Sequence, residues 1–321
     1  MLKGKSLSEI LQNIDRRVLY LLLIVSTSLP FAFKNVIIPT QCKDPAIDFY
    51  KHIMKLPEGS TVFVQSDWTN STRGENAGQL ESLLRIIHRR KLKFVLYSLI
   101  DPQAPRVARD VIFRMNQEFI REGKRPLQKW NDWVDLEYFP DANSFLIALV
   151  QDLPKALESE EDLDTKGVSR NVMQSPVLEK VKNIQDVGLL VSISGTGIIR
   201  VLIERVGQPP KVKLAAMVTG VLGPETLNYY QAKQIYGLTV GLRGTVELET
   251  LMDKGLNWPD QSGKIAIKKI GKKKIPPLNN GTVYGRGMRY YLSLHVALTL
   301  MIIAIVLGNI GILLARKRRA N

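Results

Sequence analysis

The chain has 321 residues, 45% of them apolar, and carries 45 Lys and Arg against 30 Asp and Glu, a formal net charge of +15. That length supports one or two domains with a real core, and a single cysteine excludes an internal disulfide and a CxxC metal or redox site. The basic balance raises nucleic acid as a partner class, yet much of the excess flanks two apolar segments, where anionic lipid is the simpler partner.

The first segment, Val18 to Phe33 (VLYLLLIVSTSLPFAF), is uncharged and follows Arg16-Arg17. It is shorter than the roughly 20 apolar residues that cross a bilayer. Val36-Ile37-Ile38 extends it past Lys34, whose stem can snorkel. A cleaved signal peptide is the alternative, but no small-x-small cleavage site follows and the polar lead is long. A lipoprotein reading of Cys42 fails because Gln41 stands where a small residue is required. Residues 18–38 are therefore expected as a retained transmembrane helix behind a tail, 1–17.

From Thr61 onward, short β-type runs alternate with amphipathic stretches. Thr61–Gln65 predicts a strand that ends at Ser66-Asp67-Trp68, with a helix over about 75–90. Phe94–Leu99 predicts the next strand, stopped by Asp101-Pro102. The helix after it, about 106–122, places Val107, Val111, Met115 and Phe119 on one face. Asp132–Phe139 reads as a weaker strand and 142–157 as a helix. Trp130 and Trp133 flank the Asn131-Asp132 turn; Trp133 reads as core, with an exposed aromatic docking patch as the alternative. The acidic run Glu158–Asp164 opens a polar stretch, 158–183, that reads as a mobile excursion.

Three further strand–helix pairs follow: Val187–Ser194 with about 197–206, Val212–Thr219 with about 224–232, and Ile235–Val240 with about 245–253. This alternation predicts one doubly wound, mostly parallel, Rossmann-like α/β domain over about 45–256. Such folds bind ligands at the carboxyl ends of their strands. Residues 257–289 read as a basic Pro/Gly linker, although the Ile/Lys alternation within Lys264–Lys274 also suits an edge strand. Tyr291–Ala315 is uncharged and ends in Arg316-Lys317-Arg318-Arg319, which predicts a second transmembrane helix, 290–315, and a basic tail, 316–321. Two spans put both termini on one side. The short basic tails place that side in the cytoplasm and the α/β domain outside the cytoplasmic (inner) membrane.

Three glycine-bearing turns end the later strands. Ser194-Gly195-Thr196-Gly197 resembles the start of a dinucleotide fingerprint, but Arg200 occupies the third-glycine place and the ribose-binding acid is missing. No Lys-Ser/Thr pair follows, so it is not a P-loop. Thr219-Gly220 and Gly241-Leu242-Arg243-Gly244-Thr245 are similar turns, with Arg243 the charge that asks for a partner. Asp67 and Asp101 end the first two strands and are the acidic candidates for a cation, though Asp also forms turns and caps. His52, His88 and His295 are scattered, and HExxH and GxSxG motifs and a Cys–His pairing are missing from the sequence. No catalytic or metal-ligand set is assigned. Asp67, Asp101, Ser194, Gly195, Thr196, Gly197, Thr219 and Arg243 remain as ligand candidates, for a cofactor the sequence does not identify.

The motifs "NIDRRVLYLLL", "DWVDLEYFPD", "QDLPKAL", "VTGVLGPETLNYY" and "QIYGLTVGLRGTVELETL" occur in that order. Together they resemble an uncharacterised family of prokaryotic membrane proteins, with a Rossmann-like α/β domain between two terminal transmembrane helices. The resemblance implies the fold and the anchoring and carries no catalytic residue. The expected function is a non-catalytic binding or scaffold subunit, with the lipid bilayer and either a membrane protein or further copies of itself as partners. The alternative is an enzyme or small-ligand and anion sensor that uses the strand-end cleft.

Overall fold

The computed structural model describes residues 15–32, 40–208, 212–255 and 286–320, with short strand pieces between 257 and 274. The chain forms two compact units. One is Thr40–Gly287; the other combines Met1–Pro39 with Met288–Asn321. In chain order the elements begin with α1 (Arg16–Ala32), α2 (Asp44–Met54), β1 (Thr61–Asp67), α3 (Arg73–Arg89), β2 (Lys93–Ser98), α4 (Ala104–Arg121) and β3 (Trp133–Tyr138). Next come α5 (Ala142–Gln151), the one-turn α6 (Leu153–Ala156), the hairpin strands β4 (Glu161–Leu163) and β5 (Ser169–Asn171), and β6 (Leu189–Ser194). The short α7 (Ile199–Leu202) runs into a π turn (Ile203–Gly207). β7 (Leu214–Val218), α8 (Gly223–Gln231), β8 (Leu238–Val240), α9 (Gly241–Lys254) and α10 (Gly287–Ala320) complete the order.

Six strands form one parallel sheet in the order β3-β2-β1-β6-β7-β8. The sheet grows outward from β1 in one direction and from β6 in the other, which is the Rossmann arrangement, with its switch point between β1 and β6. Alternate residues of each strand feed opposite layers. Val62, Val64, Phe94 and Leu96 pack with Phe49, Leu80, Val111 and Leu248 under α2, α3, α4 and α9. Phe63, Val95 and Leu190 pack with Leu146, Leu149 and Leu202 on the other face, joined by Tyr229 and Tyr230 of α8. Each such aliphatic side chain contributes roughly 1.5–3 kcal/mol by leaving water.

Several expectations change. A helix precedes β1: Pro45 sits in the first turn of α2, and Ala46, Ile47, Phe49, Tyr50 and Ile53 bury one face. The helix expected over 142–157 breaks at Asp152, whose carboxylate accepts from Lys155 N at 3.1 Å and starts α6. The stretch 158–183 folds back on the second core instead of standing off as a mobile excursion, burying Val172, Val177, Leu178 and Val181. Thr61 Oγ1 donates to Val177 O at 2.6 Å and Lys93 Nζ to Pro176 O at 2.6 Å. Trp130 and Trp133 are both buried, so they form no exposed docking patch; Trp133 stacks on Phe94 with centroids 5.7 Å apart. Within 257–289, Asn257–Pro259 pairs with Ile265–Ile267 and Lys269–Ile270 with Lys273–Lys274, and neither pair joins the main sheet.

Both sheet edges are covered. At β3, Asp162 of the hairpin accepts from Asp135 N at 2.9 Å, Asp135 accepts from Glu137 N at 2.9 Å, and Trp133 O accepts from Trp130 N at 2.7 Å. Lys129 pairs with Asp162 at 2.6 Å and Arg109 with Asp135 at 2.7 Å, so the two buried carboxylates are compensated. The opposite edge strand, β8, is three residues long and α2 packs against it, Gly237 lying against the Phe49 backbone, where a side chain would collide.

In the other unit, α1 and α10 pack together. Ser293 Oγ donates to Thr27 O at 2.8 Å, and the Phe31 and Tyr290 rings meet edge-on, 5.3 Å between centroids. Among the described residues one helix, Gly287–Arg316, is long and apolar enough to cross a membrane, where two were expected. Its 30 residues span about 45 Å at ~1.5 Å each. The 17 residues of α1 fall short by themselves, and Phe33–Ile38, expected to lengthen it, lie outside the described residues.

Candidate functional site

Register aligns the carboxyl ends of the central strands. Asp67 stands opposite Ser194, Ser194 opposite Val218, and Val218 opposite Val240. The loops that follow therefore lie side by side along the edge where ligands bind in this arrangement. The structure gathers Asp67, Asp101, Ser194, Gly195, Thr196, Gly197 and Thr219 at this edge.

Asp67 is buried and surrounded by donors. Leu99 N donates at 3.0 Å and Ile100 N at 2.9 Å, and the Ser98 hydroxyl and the Gln65 amide donate as well. Gln65 Oε1 in turn accepts from Ser192 Oγ at 2.5 Å. A buried relay thus runs from β6 through β1 to the end of β2. Burial pushes the Asp67 carboxyl above its ordinary 3.8, against the downward pull of Ser98, Ile100, Leu99 and Asp101. The Asp101 carboxylate is engaged locally and makes no hydrogen bond with the Asp67 carboxylate. Asp101 starts α4 instead, its carboxylate accepting from Gln103 N at 2.8 Å and its carbonyl from Ala104 N at 3.0 Å and Ser98 Oγ at 3.1 Å.

The Ser194 turn is also closed on itself. Ser194 Oγ lies 2.9 Å from Thr196 Oγ1 and accepts from Thr196 N at 2.9 Å, and Gly195 N donates to Asp67 O at 3.2 Å. A Cβ on Gly195 would stand 3.0 Å from the Thr72 side chain, so the β1 loop fills the space in front of the glycine. Gly197 accepts from Arg200 N at 3.2 Å, and Arg200 pairs with Glu204 at 3.1 Å. Thr219 N donates to Ser194 O at 3.4 Å, which ties the second glycine turn to the first.

Sequence reasoning missed α3 as a contributor to this edge. Glu75, in its first turn, accepts from Gly220 N at 2.7 Å. A Cβ on Gly241 would stand 2.7 Å from the same oxygen, and φ there is +56°. The carboxylate therefore rests against the first residue of α9, where a helix dipole favours an anion. Buried Gln79 donates to Val218 O at 2.9 Å and Gly241 O at 3.4 Å, and buried Asn76 donates to Gln79 at 2.9 Å. An acid in a first helical turn has an ordinary dipole reading, so the sequence offers no signal that Glu75 reaches across the sheet.

Arg243 points elsewhere. Its guanidinium pairs with buried Glu247 at 3.0 Å and donates to Gln41 O at 3.1 Å, while Glu247 also accepts from Lys43 N at 3.3 Å. Arg243 thus fastens the segment before α2 to α9 and buries Cys42 beneath it. Away from the strand ends, a shallow depression of about 650 Å³ is lined by Gln128, Lys129, Asn131 and Asp164. Its charges are paired, Lys129 with Asp162 and Asp164 with Arg170 at 2.8 Å. No cluster of three or more metal-ligating side chains occurs among the described residues. Comparison of the chain with protein-family models, curated proteins and solved structures finds no match.

Proposed function

We propose that the chain is a membrane-anchored protein whose α/β domain works by binding another macromolecule, as a scaffold subunit, and not by turning over a nucleotide or phosphate ester. The observation that carries this reading is the occupancy of the ligand edge by the chain's own groups. Asp67 consumes the donors after β2, Thr72 fills the space before Gly195, and Glu75 holds the anion position at Gly220 and Gly241. A thermal-unfolding panel of nucleotides, inorganic phosphate and divalent ions, run on the full chain in mild detergent, tests it. No ligand in the panel should raise Tm, and in-cell crosslinking should recover a membrane protein or a second copy. A nucleotide or phosphate that raises Tm by several degrees overturns the reading.

The anchoring we propose uses α10 and, at the level of sequence, the apolar stretch Val18–Ile38 as a second span, with both termini in the cytoplasm of a prokaryote and the domain outside its cytoplasmic membrane. The basic residues before α1 and at the end of α10 support that orientation. Cys42 is buried and makes a poor labelling site, whereas Val221 is 89% exposed. Val221→Cys should react with a membrane-impermeant maleimide in intact cells. Reaction only after permeabilisation reverses the orientation.

A further inference from the structure

The helix α10 has two unlike faces. Ser293, Ala297, Ala304, Gly308 and Gly311 are partly or fully covered within the helical unit, on the side where Ser293 meets Thr27. The other face carries His295, Thr299, Ile302, Val306, Asn309 and Leu313, all exposed. These positions alternate in steps of four and three, the spacing of a helix–helix seam.

Two of the three polar members of that stripe are satisfied locally. His295 Nδ1 lies 2.8 Å from Tyr291 O, and Thr299 Oγ1 donates to His295 O at 2.8 Å. The Asn309 carboxamide makes no side-chain hydrogen bond to any described residue. It sits two turns before Arg316, about 10 Å along the axis, which is inside the hydrocarbon if Arg316 marks the interface. A carboxamide with no partner in hydrocarbon is strongly unfavourable, and an interhelical hydrogen bond relieves it.

We propose that this stripe is a homodimer seam in which two parallel copies of α10 meet, the two Asn309 carboxamides hydrogen-bonded to each other. The proposal rests on the membrane-spanning reading of α10. Copies of one chain enter a bilayer in the same orientation, so each Asn309 stands at the same depth as its counterpart. A carboxamide both donates and accepts, which makes it complementary to itself across a two-fold axis. The exposed apolar residues between the polar ones, Ile302 and Val306, then pack against their own copies. A second copy is thus the partner that supplies the missing group in register.

Oxidative crosslinking of the full chain in native membranes, on a Cys42→Ser background, tests the seam. Val306→Cys should give a disulfide dimer and Ala304→Cys, on the covered face, should not. Adding Asn309→Leu should weaken dimerisation roughly five- to thirtyfold, and Asn309→Gln should restore much of it. Equal crosslinking with Asn309→Leu, or from Ala304→Cys, overturns the proposal. Crosslinking of Val306→Cys only to a different protein also overturns it, in favour of a mixed complex. A carbonate wash of the same membranes reads anchoring separately: release of the chain overturns the membrane reading itself, whereas retention without a dimer overturns the seam alone.

Discussion

The two units differ in how the polar side chains named above are placed. In the α/β unit the carboxylates along the ligand edge turn inward: Asp67 and Glu75 each accept from groups of the same chain. In the helical unit an amide, Asn309, is left facing outward from an apolar helix. Polar groups that satisfy each other stabilise a fold and leave little for a ligand, whereas a polar group held where water is excluded calls for a partner. On the membrane-spanning reading proposed above, it is α10 and not the strand-end edge that needs a partner.

Three perturbations of the α/β unit sharpen that contrast. The largest effect belongs to Asp67→Ala, which strands Leu99 N, Ile100 N and the Ser98 and Gln65 donors. A loss of about 3–5 kcal/mol is expected, read by urea unfolding of the full chain in detergent, with Asp67→Asn losing less because one acceptor oxygen remains. A loss under about 1 kcal/mol would mean that the carboxylate is not held for stability. Glu75→Ala comes next, at about 1–2 kcal/mol. It also uncovers Gly220 N and the start of α9, so inorganic phosphate should raise the Tm of the variant and leave the parent unchanged at matched ionic strength. An equal response in both proteins breaks the view that Glu75 fills the anion position.

The smallest effect concerns pH. Burial lowers the pKa of His52 and of His88 below the ordinary 6.5. Between those lowered values and 6.5 the unfolded chain binds more protons than the folded one. The stability of the neutral imidazoles is therefore present at neutral pH, falls as pH drops through 6.5, and levels off below the folded values. The double variant His52→Gln/His88→Gln should show a flatter dependence of stability on pH across that window. The carboxylates of half-buried Glu81 and buried Glu247, whose pKa values desolvation raises, act in the opposite direction, but they are common to both proteins and cancel in the comparison. An unchanged slope would place the titrating groups elsewhere.

The parallel sheet was legible because its strands are runs of β-branched and aromatic residues of the right length, such as Thr61–Gln65 and Phe94–Leu99. What escaped was contact at a distance. The segment 172–184 buries Val172, Val177, Leu178, Val181 and Ile184 at spacings that match neither a helix nor a strand, so its polar composition dominated the reading. Asp67 was visible as a strand-end acid, yet its role depends on donors from the end of β2. Glu75 meets Gly220 across 145 positions of sequence, a separation that periodicity does not span. Arg243 was legible as a charge needing a partner, and half of the answer, Glu247 one turn on, was in plain view; the other half, the Gln41 carbonyl, was not.

The covered sheet edges carry a consequence for life on a surface. On the reading proposed above, many copies of this domain share a two-dimensional membrane, where their local concentration far exceeds that of a freely diffusing protein. An open strand edge in that setting would recruit its neighbours indefinitely. Asp162 and Asp135 at one margin and α2 at the other make that runaway pairing unavailable. Contact between neighbours then falls to helices and loops in place of the main sheet.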